Sequence, residues 1–431
     1  MTSFDPGPAG LLDELRWRGM FHAASDGLEA RLATGRQISG YIGFDPTASS
    51  LHIGHLIPIA GLNLLQRHGG RPIAVVGGGT GMIGDPSGRS SERNLLDVEA
   101  LDANVAAIQR QLEHFLDFDG PSGARVVNNL DWLGPMTLID FLRDTGKHFT
   151  VPYMLAKDSV QVRLDRGLSF TEFSYMLLQS VDFAHLHRTM GVEMQMGGAD
   201  QWGNITAGLE LIRRTSDGGG DGPDAAYALA YPLLLAPSGT KFGKSDTGDS
   251  IWLDPGRTSP FAFFQHWLNT DDRDVGIYLR WFTTLAPEEI EALDALVVSA
   301  PGERAAQRAL ATDVTKRTHG AEAARQAAED GVALFAPEPI RDPAVLARLF
   351  ASVGGFTVDA GATGGPIAAT LAGAGVFASN GEARRMIENG GLTINGEVIR
   401  DPAAVMPPPL EGQWWEIRIG KRRRVLGRIG T

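Results

Sequence analysis

Two polar segments, His52–His55 and Lys241–Ser245, contain side chains that could hold a triphosphate. The first reads His-Ile-Gly-His and places two imidazoles at i and i+3, on one face of the first turn of a predicted helix. A helix N-terminus offers unpaired backbone N–H groups and the positive end of a dipole, so it favours phosphate. Gly54, between the histidines, lets a ligand approach the backbone closely. The alternative for this stretch by itself is a pair of capping histidines on an ordinary helix.

The second segment, Lys-Phe-Gly-Lys-Ser, lies in a polar loop. Only six of the 39 basic residues are lysines, yet two of them, Lys241 and Lys244, stand three positions apart here. A compact ammonium group on a flexible stem suits a moving phosphate better than a planar guanidinium group does. A solvated surface loop is the ordinary alternative.

A third set of polar side chains lies on one predicted helix, 171–189. Tyr175, Gln179 and Asp182 fall at i, i+4 and i+7, so they form one polar stripe on an otherwise apolar helix. Such a stripe most simply lines a polar pocket. A satisfied buried network without a ligand is the alternative.

Apolar runs that predict strands position the first of these segments. Ile38–Phe44 precedes Asp45, and Pro72–Val76 runs into the glycine-rich stretch Gly77–Arg89. Strands that alternate with helices predict a parallel sheet covered on both faces, with ligands beyond the carboxyl ends of its strands. The predicted strands are 37–45, 72–76, 125–129, 192–196 and 227–235. The predicted helices are 11–35, 52–68, 97–117, 136–145, 153–164, 171–189 and one that follows Asp200.

Composition and charge limit the class of protein. No apolar run approaches the ~18 residues of a membrane span, and the first residues lack the regions of a signal peptide. The absence of cysteine excludes disulfides and thiolate chemistry, and we expect a cytoplasmic protein. The net charge is −12, but residues 380–431 carry nine Lys/Arg and six Asp/Glu, so this tail has +3 and the remainder −15. That asymmetry predicts an RNA-binding module.

The length allows two to four domains. We expect an α/β domain over 1–255, a helical domain over 256–350, a linker rich in Gly, Ala and Thr over 351–365, and a small α+β domain over 366–431. The last contains a predicted hairpin, Leu392–Ile399, centred on Asn395-Gly396.

The two polar segments together resemble the signatures of class I aminoacyl-tRNA synthetases. Lys241, Lys244 and Ser245 match the family's Lys-Met-Ser-Lys-Ser, whereas Phe242 and Gly243 depart from it. Further motifs, in order and nearly end to end, resemble the bacterial tyrosyl-tRNA synthetase family. They are Tyr41 with Asp45, Gly-Asp85-Pro-Ser-Gly, Ser-Phe-Thr-Glu-Phe-Ser-Tyr175, Gln179, Asp182 and Gly-Gly-Ala-Asp200-Gln201-Trp-Gly-Asn. The segment from Ser379 through the hairpin resembles the S4 RNA-binding fold.

The resemblance implies a fold and a reaction. The fold is a Rossmann-like parallel-sheet catalytic domain, an α-helical anticodon-binding domain and an S4-like RNA-binding domain. The reaction is the ATP-dependent attachment of L-tyrosine to tRNA(Tyr) through tyrosyl-adenylate, with release of pyrophosphate and then AMP. ATP is expected as a substrate together with Mg²⁺, without a tightly bound cofactor or a protein metal site. A homodimer that does not associate with membranes is expected.

The resemblance also assigns residues. Tyr41 and Asp182 would hydrogen-bond the substrate phenol; Tyr175, Gln179 and Asp85 would hold its ammonium group, with Gln201 completing the tyrosine pocket. The residues expected to act in catalysis are Thr47, His52, His55, Lys241 and Lys244. Those expected to contact ATP are Gly43, Asp45, His52, His55, Gly198, Asp200, Lys241, Lys244 and Ser245, with Arg89 and Arg93 as further phosphate candidates. Those expected to contact tRNA are Arg384, Arg385, Lys421, Arg422, Arg423 and Arg424.

Three other functions compete with this interpretation. A tryptophanyl-tRNA synthetase shares the class and fold type, although the Tyr41 and Asp182 pair favours a phenol over an indole. An RNA-binding protein descended from a synthetase would have lost catalysis. A stand-alone nucleotidyltransferase could share His-x-Gly-His but would not need the helical and S4-like parts.

Overall fold

The computed structural model describes residues 4–87, 98–164, 167–216, 225–233, 242, 250–359, 361, 364–420 and 423–430. The chain divides into two compact units. The first comprises Met1–Arg257 with Thr270–Thr318, and the second comprises Thr258–Asn269 with His319–Thr431. No helix in the described ranges combines the length and the apolar character needed to cross a bilayer.

The secondary structure of both units follows the chain in this order. The strands are β1 (Ala23–Ala24), β2 (Ser39–Phe44), β3 (Arg71–Val76), β4 (Arg125–Asn128), β5 (Met194–Gly198), β6 (Tyr227–Tyr231), β7 (Phe356–Asp359), β8 (Leu392–Ile394), β9 (Glu397–Ile399), β10 (Trp414–Ile419) and β11 (Arg423–Gly430). The helices of the first half are α1 (Leu11–Trp17), α2 (Leu28–Ala33), α3 (Leu56–Arg67), α4 (Val98–Leu112), α5 (Leu130–Leu133), α6 (Leu138–Asp140), α7 (Val151–Leu155), α8 (Asp158–Leu164), α9 (Phe170–Met190) and α10 (Trp202–Thr215). Those of the second half are α11 (Pro260–Leu268), α12 (Asp272–Phe282), α13 (Pro287–Ser299), α14 (Ala305–His319), α15 (Ala321–Phe335), α16 (Pro343–Val353), α17 (Ile367–Gly373) and α18 (Asn380–Glu388).

The first unit contains a six-stranded sheet with the order β1-β6-β5-β2-β3-β4. Strands β2 to β6 pair in parallel, so their carboxyl ends meet at one edge, as the alternation of strands and helices predicts. The side chains of β3 are almost all buried, as expected for a strand covered on both faces. The α/β class and the five predicted strand positions are confirmed, with ends that move by a few residues.

The helix predicted over 11–35 is wrong. The chain forms two short helices there, α1 and α2, with β1 between them on the sheet edge, paired antiparallel to β6. Gly19 and Gly27 have φ of 71° and 84°, a left-handed conformation that interrupts a helix. The apolar residues counted toward a single helix therefore belong to separate elements.

The second unit contains a five-stranded sheet with the order β7-β11-β10-β8-β9. The predicted hairpin is confirmed, because β8 and β9 pair antiparallel around Asn395 and Gly396, whose φ values are both positive. Residues in the segment predicted as a linker form β7, which pairs parallel to β11 and buries Phe356 and Val358. The small residues of this segment suggest flexibility, but its two apolar side chains alternate inward and fix the strand in the core.

The predicted helical domain over 256–350 is divided between the units. Helices α12 and α13 belong to the first unit, whereas α11, α15 and α16 belong to the second. In the second unit Leu346 and Leu349 of α16 are buried in one apolar cluster with Trp414 and Leu426 of the sheet. A helical composition alone does not reveal which neighbour each helix packs against.

Candidate functional site

One cavity of about 420 Å³ opens beyond the carboxyl ends of β2, β3 and β5. We call it the central cavity. Every described residue predicted to contact tyrosine or ATP lines it: Tyr41, Gly43, Asp45, Thr47, His52, His55, Asp85, Tyr175, Gln179, Asp182, Gly198, Asp200 and Gln201. Lys241, Lys244, Ser245, Arg89 and Arg93 lie outside the described residues.

Asp182 is a fully buried carboxylate at one end of this cavity. Asn129 Nδ2 donates to its Oδ2 at 2.9 Å, and Trp132 Nε1 donates to its Oδ1 at 2.7 Å. Burial raises its pKa to about 7, although both hydrogen bonds oppose the rise. Each oxygen has one donor and can accept another, so the carboxylate is held in place to receive a ligand hydroxyl.

The Tyr41 hydroxyl shares the cavity with Asp182. It is buried and has no hydrogen-bond partner among the described residues. Burial, reinforced by the negative charge of Asp182, raises the pKa of this phenol well above its usual value, so it remains a neutral donor. An unpartnered buried hydroxyl costs free energy unless a ligand completes its bonding. The pair thus offers one donor and one acceptor to a small polar group.

Asp45 holds the turn that follows β2. It accepts from Tyr175 Oη at 3.1 Å and from Thr80 Oγ1 at 2.9 Å. A Cβ on Gly77 would lie 2.3 Å from Asp45 Oδ1, so only glycine allows the backbone to come so close to this carboxylate. The glycine-rich stretch after β3 therefore serves close packing around Asp45.

Asp85 and Gln201 form the opposite wall. Gln201 Nε2 donates to Asp85 Oδ2 at 2.7 Å, and Ser87 N donates to Asp85 Oδ1 at 2.8 Å. Gln179 Oε1 accepts from Asn204 Nδ2 at 3.0 Å. A carboxylate with two amide side chains beside it suits an ammonium group.

His52 and His55 present neutral imidazoles to the cavity. The backbone N–H of Gly54 donates to Nδ1 of His52, and that of His52 donates to Nδ1 of His55, both at 3.1 Å. With each Nδ1 acting as acceptor, each ring carries its proton on Nε2, a donor. Burial lowers the pKa of His52, which favours the neutral form. In each ring, Nδ1 caps the start of the helix, as the capping alternative predicts, and Nε2 is the nitrogen that the ligand-binding prediction concerns.

Phe242 of the 241–245 segment, which we call the lysine loop, and Ile251 further along the chain both lie against the histidine segment. Phe242 lines the central cavity, and its carbonyl oxygen lies 3.7 Å from the position of a Cβ on Gly54. Its ring stacks on Phe282 at 5.2 Å. Ile53 N donates to Ile251 O at 3.0 Å. Phe242 and Ile251 therefore both lie beside the segment that carries the two histidines.

The sequence analysis missed several residues of the site. Asn129 and Trp132 donate hydrogen bonds to Asp182. Thr80 donates one to Asp45, and Asn204 donates one to Gln179. Asn129 ends a predicted strand, a position that could have marked it as facing the ligand edge. Nothing in the pattern around Trp132 marks its indole as a donor to a carboxylate fifty residues away in the chain.

The basic residues of the second unit differ in exposure. Arg384 and Arg385 are exposed on α18, and Arg423 is exposed on β11. Arg424 does not fit the predicted tRNA contact, because its side chain is only 5% exposed and pairs with buried Glu416 at 2.7 Å. Its guanidinium also donates to carbonyl oxygens of Ala336 and Glu338. Arg424 therefore links β11 to the chain segment that follows α15 through these hydrogen bonds. Lys421 and Arg422 lie outside the described residues.

Groups of three or more carboxylate or histidine side chains arranged for a metal ion are absent from the part of the chain that the structure describes.

Known proteins resemble this chain over nearly its whole length. The family model for class I tRNA synthetases (W and Y) matches residues 33–336. A tyrosine–tRNA ligase of Anaeromyxobacter dehalogenans is 51% identical over 426 residues, which are 97% of this chain and 99% of that protein. One from Geobacillus stearothermophilus is 49% identical over 422 residues, covering 96% and 99%.

A solved structure gives the same result at the level of the fold. The C-terminally truncated mitochondrial tyrosyl-tRNA synthetase of Aspergillus nidulans superposes with a TM-score of 0.68 at 29% identity, over 75% of this chain and 94% of that one. The chain therefore belongs to the class I aminoacyl-tRNA synthetases for tryptophan and tyrosine, and within them to the tyrosine–tRNA ligase family.

Proposed function

We propose that the central cavity binds tyrosine beside ATP and forms tyrosyl-adenylate there. The overall reaction is that of the family: ATP-dependent attachment of tyrosine to tRNA(Tyr), with release of pyrophosphate and then AMP. The observation that carries the proposal is the convergence of thirteen predicted side chains and backbone positions on one cavity. These thirteen positions are spread along the chain from Tyr41 to Gln201, so the fold, rather than closeness in sequence, brings them together.

At the phenol end, Tyr41 donates to the tyrosine hydroxyl, which in turn donates to Asp182. Phenylalanine would leave the Tyr41 hydroxyl buried without a partner and would deprive Asp182 of the ligand donor, although its bonds from Asn129 and Trp132 remain. The resulting loss gives strong discrimination without an editing site. The rejection of phenylalanine by a tyrosyl-tRNA synthetase is itself the standard example of this effect, with a known magnitude of about 10⁵-fold. Asp85, Gln179 and Tyr175 hold the ammonium group at the other end of the amino acid, next to Gln201.

The chemistry at the ATP end needs alignment and charge stabilisation. The tyrosine carboxylate attacks the α-phosphorus in line, a mixed anhydride forms, and pyrophosphate leaves. A carboxylate is already a nucleophile, so no general base is required. The Nε2–H donor of His52, with Thr47 and the ammonium groups of Lys241 and Lys244, stabilises the negative charge that spreads onto phosphate oxygens. The Nε2–H donor of His55 contacts the nucleotide sugar.

The nucleotide is bound by backbone and acidic groups at the same edge of the sheet. Gly43 and Gly198 allow its close approach, and Asp45 and Asp200 accept from its hydroxyl or amino groups. Ser245 adds a hydroxyl on the lysine loop. Mg²⁺ arrives with ATP as part of the substrate and neutralises the triphosphate.

The second unit contacts tRNA. Arg384 and Arg385 on α18 and Arg423 on β11 are exposed cations that neutralise backbone phosphates, with Lys421 and Arg422 next to Arg423 in sequence. Helices α11, α15 and α16 pack in the same unit, so both anticodon recognition and S4-like RNA binding are assigned to it.

The enzyme acts as a homodimer in the cytoplasm. Among the described residues, seven of the large apolar side chains that are exposed fall within 138–170, a stretch of only 33 residues. Phe170 is 75% exposed and Ile139 is 68% exposed, and side chains of this kind are usually covered by a partner. A second copy of the chain is the occupant that we assign to this surface.

Exchange of labelled pyrophosphate into ATP, measured with each of the twenty amino acids, tests the proposed function. Tyrosine alone should support exchange. Exchange with tryptophan would show the related specificity instead, and no exchange with any amino acid would show an RNA-binding descendant without catalysis.

A further inference from the structure

A second, small cavity of about 20 Å³ lies in the first unit, and it shares no lining residue with the central cavity. One wall is a single face of α3, formed by Ala60, Asn63, Leu64 and Arg67 at helical spacing. Arg18, which follows α1, and the end of α12 close the other sides. We call this space the arginine cavity.

Three of the residues that line this cavity each carry a buried donor that lacks an acceptor. Arg18 Nη2, Asn63 Nδ2 and Trp281 Nε1 have no hydrogen-bond partner among the described residues. Arg18 is 1% exposed and Trp281 is 3% exposed, so neither side chain is satisfied by bulk water. A buried donor without an acceptor is rare and costly, and three around one small space indicate a missing acceptor.

The walls are also strongly positive. Arg18, Arg67, Arg280 and Arg317 line the cavity, and no carboxylate of the described chain does. Outside the cavity, Glu14 is shared between Arg18 at 2.8 Å and Arg67 at 3.4 Å, and Arg280 pairs with Asp294 at 2.6 Å. Burial lowers the pKa of Arg317; the negative charge of Asp313 opposes this fall, and the positive charges of Arg67 and Arg18 add to it. An anionic occupant would relieve this repulsion.

Size and bonding restrict that occupant. A space of about 20 Å³ holds one particle of roughly the size of water, and a carboxylate or a phosphate is too large. A water molecule accepts two hydrogen bonds, so it would leave one of the three unmet donors without an acceptor. A monatomic anion accepts from all three and has no proton to place.

We propose that the arginine cavity is a halide site, occupied by a single chloride ion that accepts from Arg18, Asn63 and Trp281. Its position gives the site a consequence for the fold. Trp281 and Thr283 flank Phe282, whose carbonyl accepts from Arg317 at 2.8 Å and whose ring stacks on Phe242 of the lysine loop. The ion therefore lies behind the helix end on which Phe242 packs.

Crystals of the full chain grown in sodium bromide test the proposal directly. An anomalous bromide peak should appear between Arg18 Nη2, Asn63 Nδ2 and Trp281 Nε1. Density for a water molecule without an anomalous peak would overturn the proposal, as would an empty cavity.

Thermal unfolding provides an independent test in solution. The unfolding midpoint of the wild-type chain should rise by about 2–5 °C from sodium gluconate to sodium chloride at equal ionic strength, because a ligand bound only by the folded state stabilises it. Gluconate is too large for the cavity, so an equal midpoint in the two salts would contradict halide binding.

Two substitutions locate the effect. Trp281→Phe and Asn63→Leu each remove one donor and keep most of the packing, so the chloride response should shrink in both. Arg16→Gln, which removes an exposed arginine from the same region of the chain, should respond to chloride like the wild type. If either donor variant fails to fold, the bromide experiment on the wild type still decides.

Discussion

The backbone N–H of His52 lies 3.1 Å from Nδ1 of His55 and donates a hydrogen bond to it. The same arrangement links Gly54 to Nδ1 of His52, so the backbone itself sets the tautomer of both rings. Each imidazole is thereby a neutral Nε2–H donor at the start of α3. This local geometry makes the two histidines fixed Nε2–H donors, which we propose act on bound ATP.

Replacement of His52 by Gln should lower the rate constant of adenylate formation by about 10²-fold, the usual loss for one donor to a developing oxyanion. Tyrosine affinity should stay unchanged, because His52 acts at the ATP end. Pre-steady-state adenylation and equilibrium tyrosine binding measure the two quantities. His114→Gln, on an exposed site, is the control.

The depressed pKa of His52 also predicts a sign for stability. The unfolded chain binds a proton at this residue below pH 6.5, whereas the folded chain resists it, so His52 reduces stability as pH falls below 6.5. The free energy of unfolding of the wild type, taken relative to that of His52→Gln, should therefore decrease from pH 7 to pH 5.5. A constant difference over that range would contradict a buried neutral imidazole.

The pKa of Asp182, raised to about 7, predicts how tyrosine binding depends on pH. The phenol donates to the carboxylate, so the protonated form binds poorly. Affinity should rise with pH and level off above 7, and at pH 5 it should be roughly 100-fold weaker than the plateau. In Asp182→Asn this dependence should vanish and affinity should be low throughout.

The folded, ligand-free enzyme should show the opposite trend in stability. Because the folded state holds the Asp182 proton more tightly than the unfolded state, stability from this group falls as pH rises from about 4 to about 7. Urea unfolding of wild type and Asp182→Asn across that range checks the sign.

A pH-independent tyrosine affinity in the wild type would show that the carboxylate does not receive the phenol.

Lys241→Ala and Lys244→Ala should each slow adenylate formation and leave tyrosine affinity nearly unaltered, because the ammonium groups act on charge that develops in the transition state. Phe242 lies beside Gly54 and Ile251 O accepts from Ile53 N, so described residues on both sides of Lys244 in the sequence lie near the histidines. Lys316→Ala, on an exposed part of α14, should leave both quantities as in the wild type. A large loss of tyrosine binding with an intact rate would assign the lysines elsewhere.

Charge reversal at Arg384 and Arg385 should weaken tRNA charging without affecting pyrophosphate exchange. Both side chains are exposed on α18, and each lost phosphate contact should also reduce the salt dependence of tRNA binding by about one unit of slope. Arg36→Glu, on an exposed part of the first unit, is the control. Unchanged charging in the double variant would place tRNA on another surface.

Ile139→Glu and Phe170→Glu should convert a dimer into monomers, because each places a charge in the apolar surface assigned to the second copy. Sedimentation velocity at micromolar concentration measures the association. Val298→Glu introduces the same charge at an apolar side chain that is 85% exposed on α13 and should leave the dimer intact. A wild-type chain that sediments as a monomer would remove the basis for this interface.

The sequence predicts the part of the fold in which local pattern and tertiary structure agree. Buried strands such as Ile38–Phe44 are continuous apolar runs, and Asn395-Gly396 fixes its own turn, so both are predicted where the structure has them. The polar stripe Tyr175, Gln179 and Asp182 is visible for the same reason, because a helix repeats every 3.6 residues.

What the sequence does not predict depends on contacts between distant segments. Trp132 and Asn129 donate to Asp182, which lies about fifty residues away in the sequence, and Arg424 forms an ion pair with buried Glu416. The spacing of residues along the chain predicts neither the hydrogen bonds to Asp182 nor the burial of Arg424. The strand Phe356–Asp359 resembles a linker in sequence because its neighbours are small. Truncation after residue 350 would remove the sheet against which Leu346 and Leu349 are buried. Because that truncation would expose this apolar cluster, point substitutions are the better test of tRNA binding.

A crystal structure with a non-hydrolysable analogue of tyrosyl-adenylate tests the central claim most directly. The phenol oxygen should lie within hydrogen-bonding distance of both Tyr41 Oη and an Asp182 carboxylate oxygen, and the phosphate should face Nε2 of the two histidines. A ligand whose ring points away from Asp182, or whose phosphate lies at another edge of the sheet, would contradict the account.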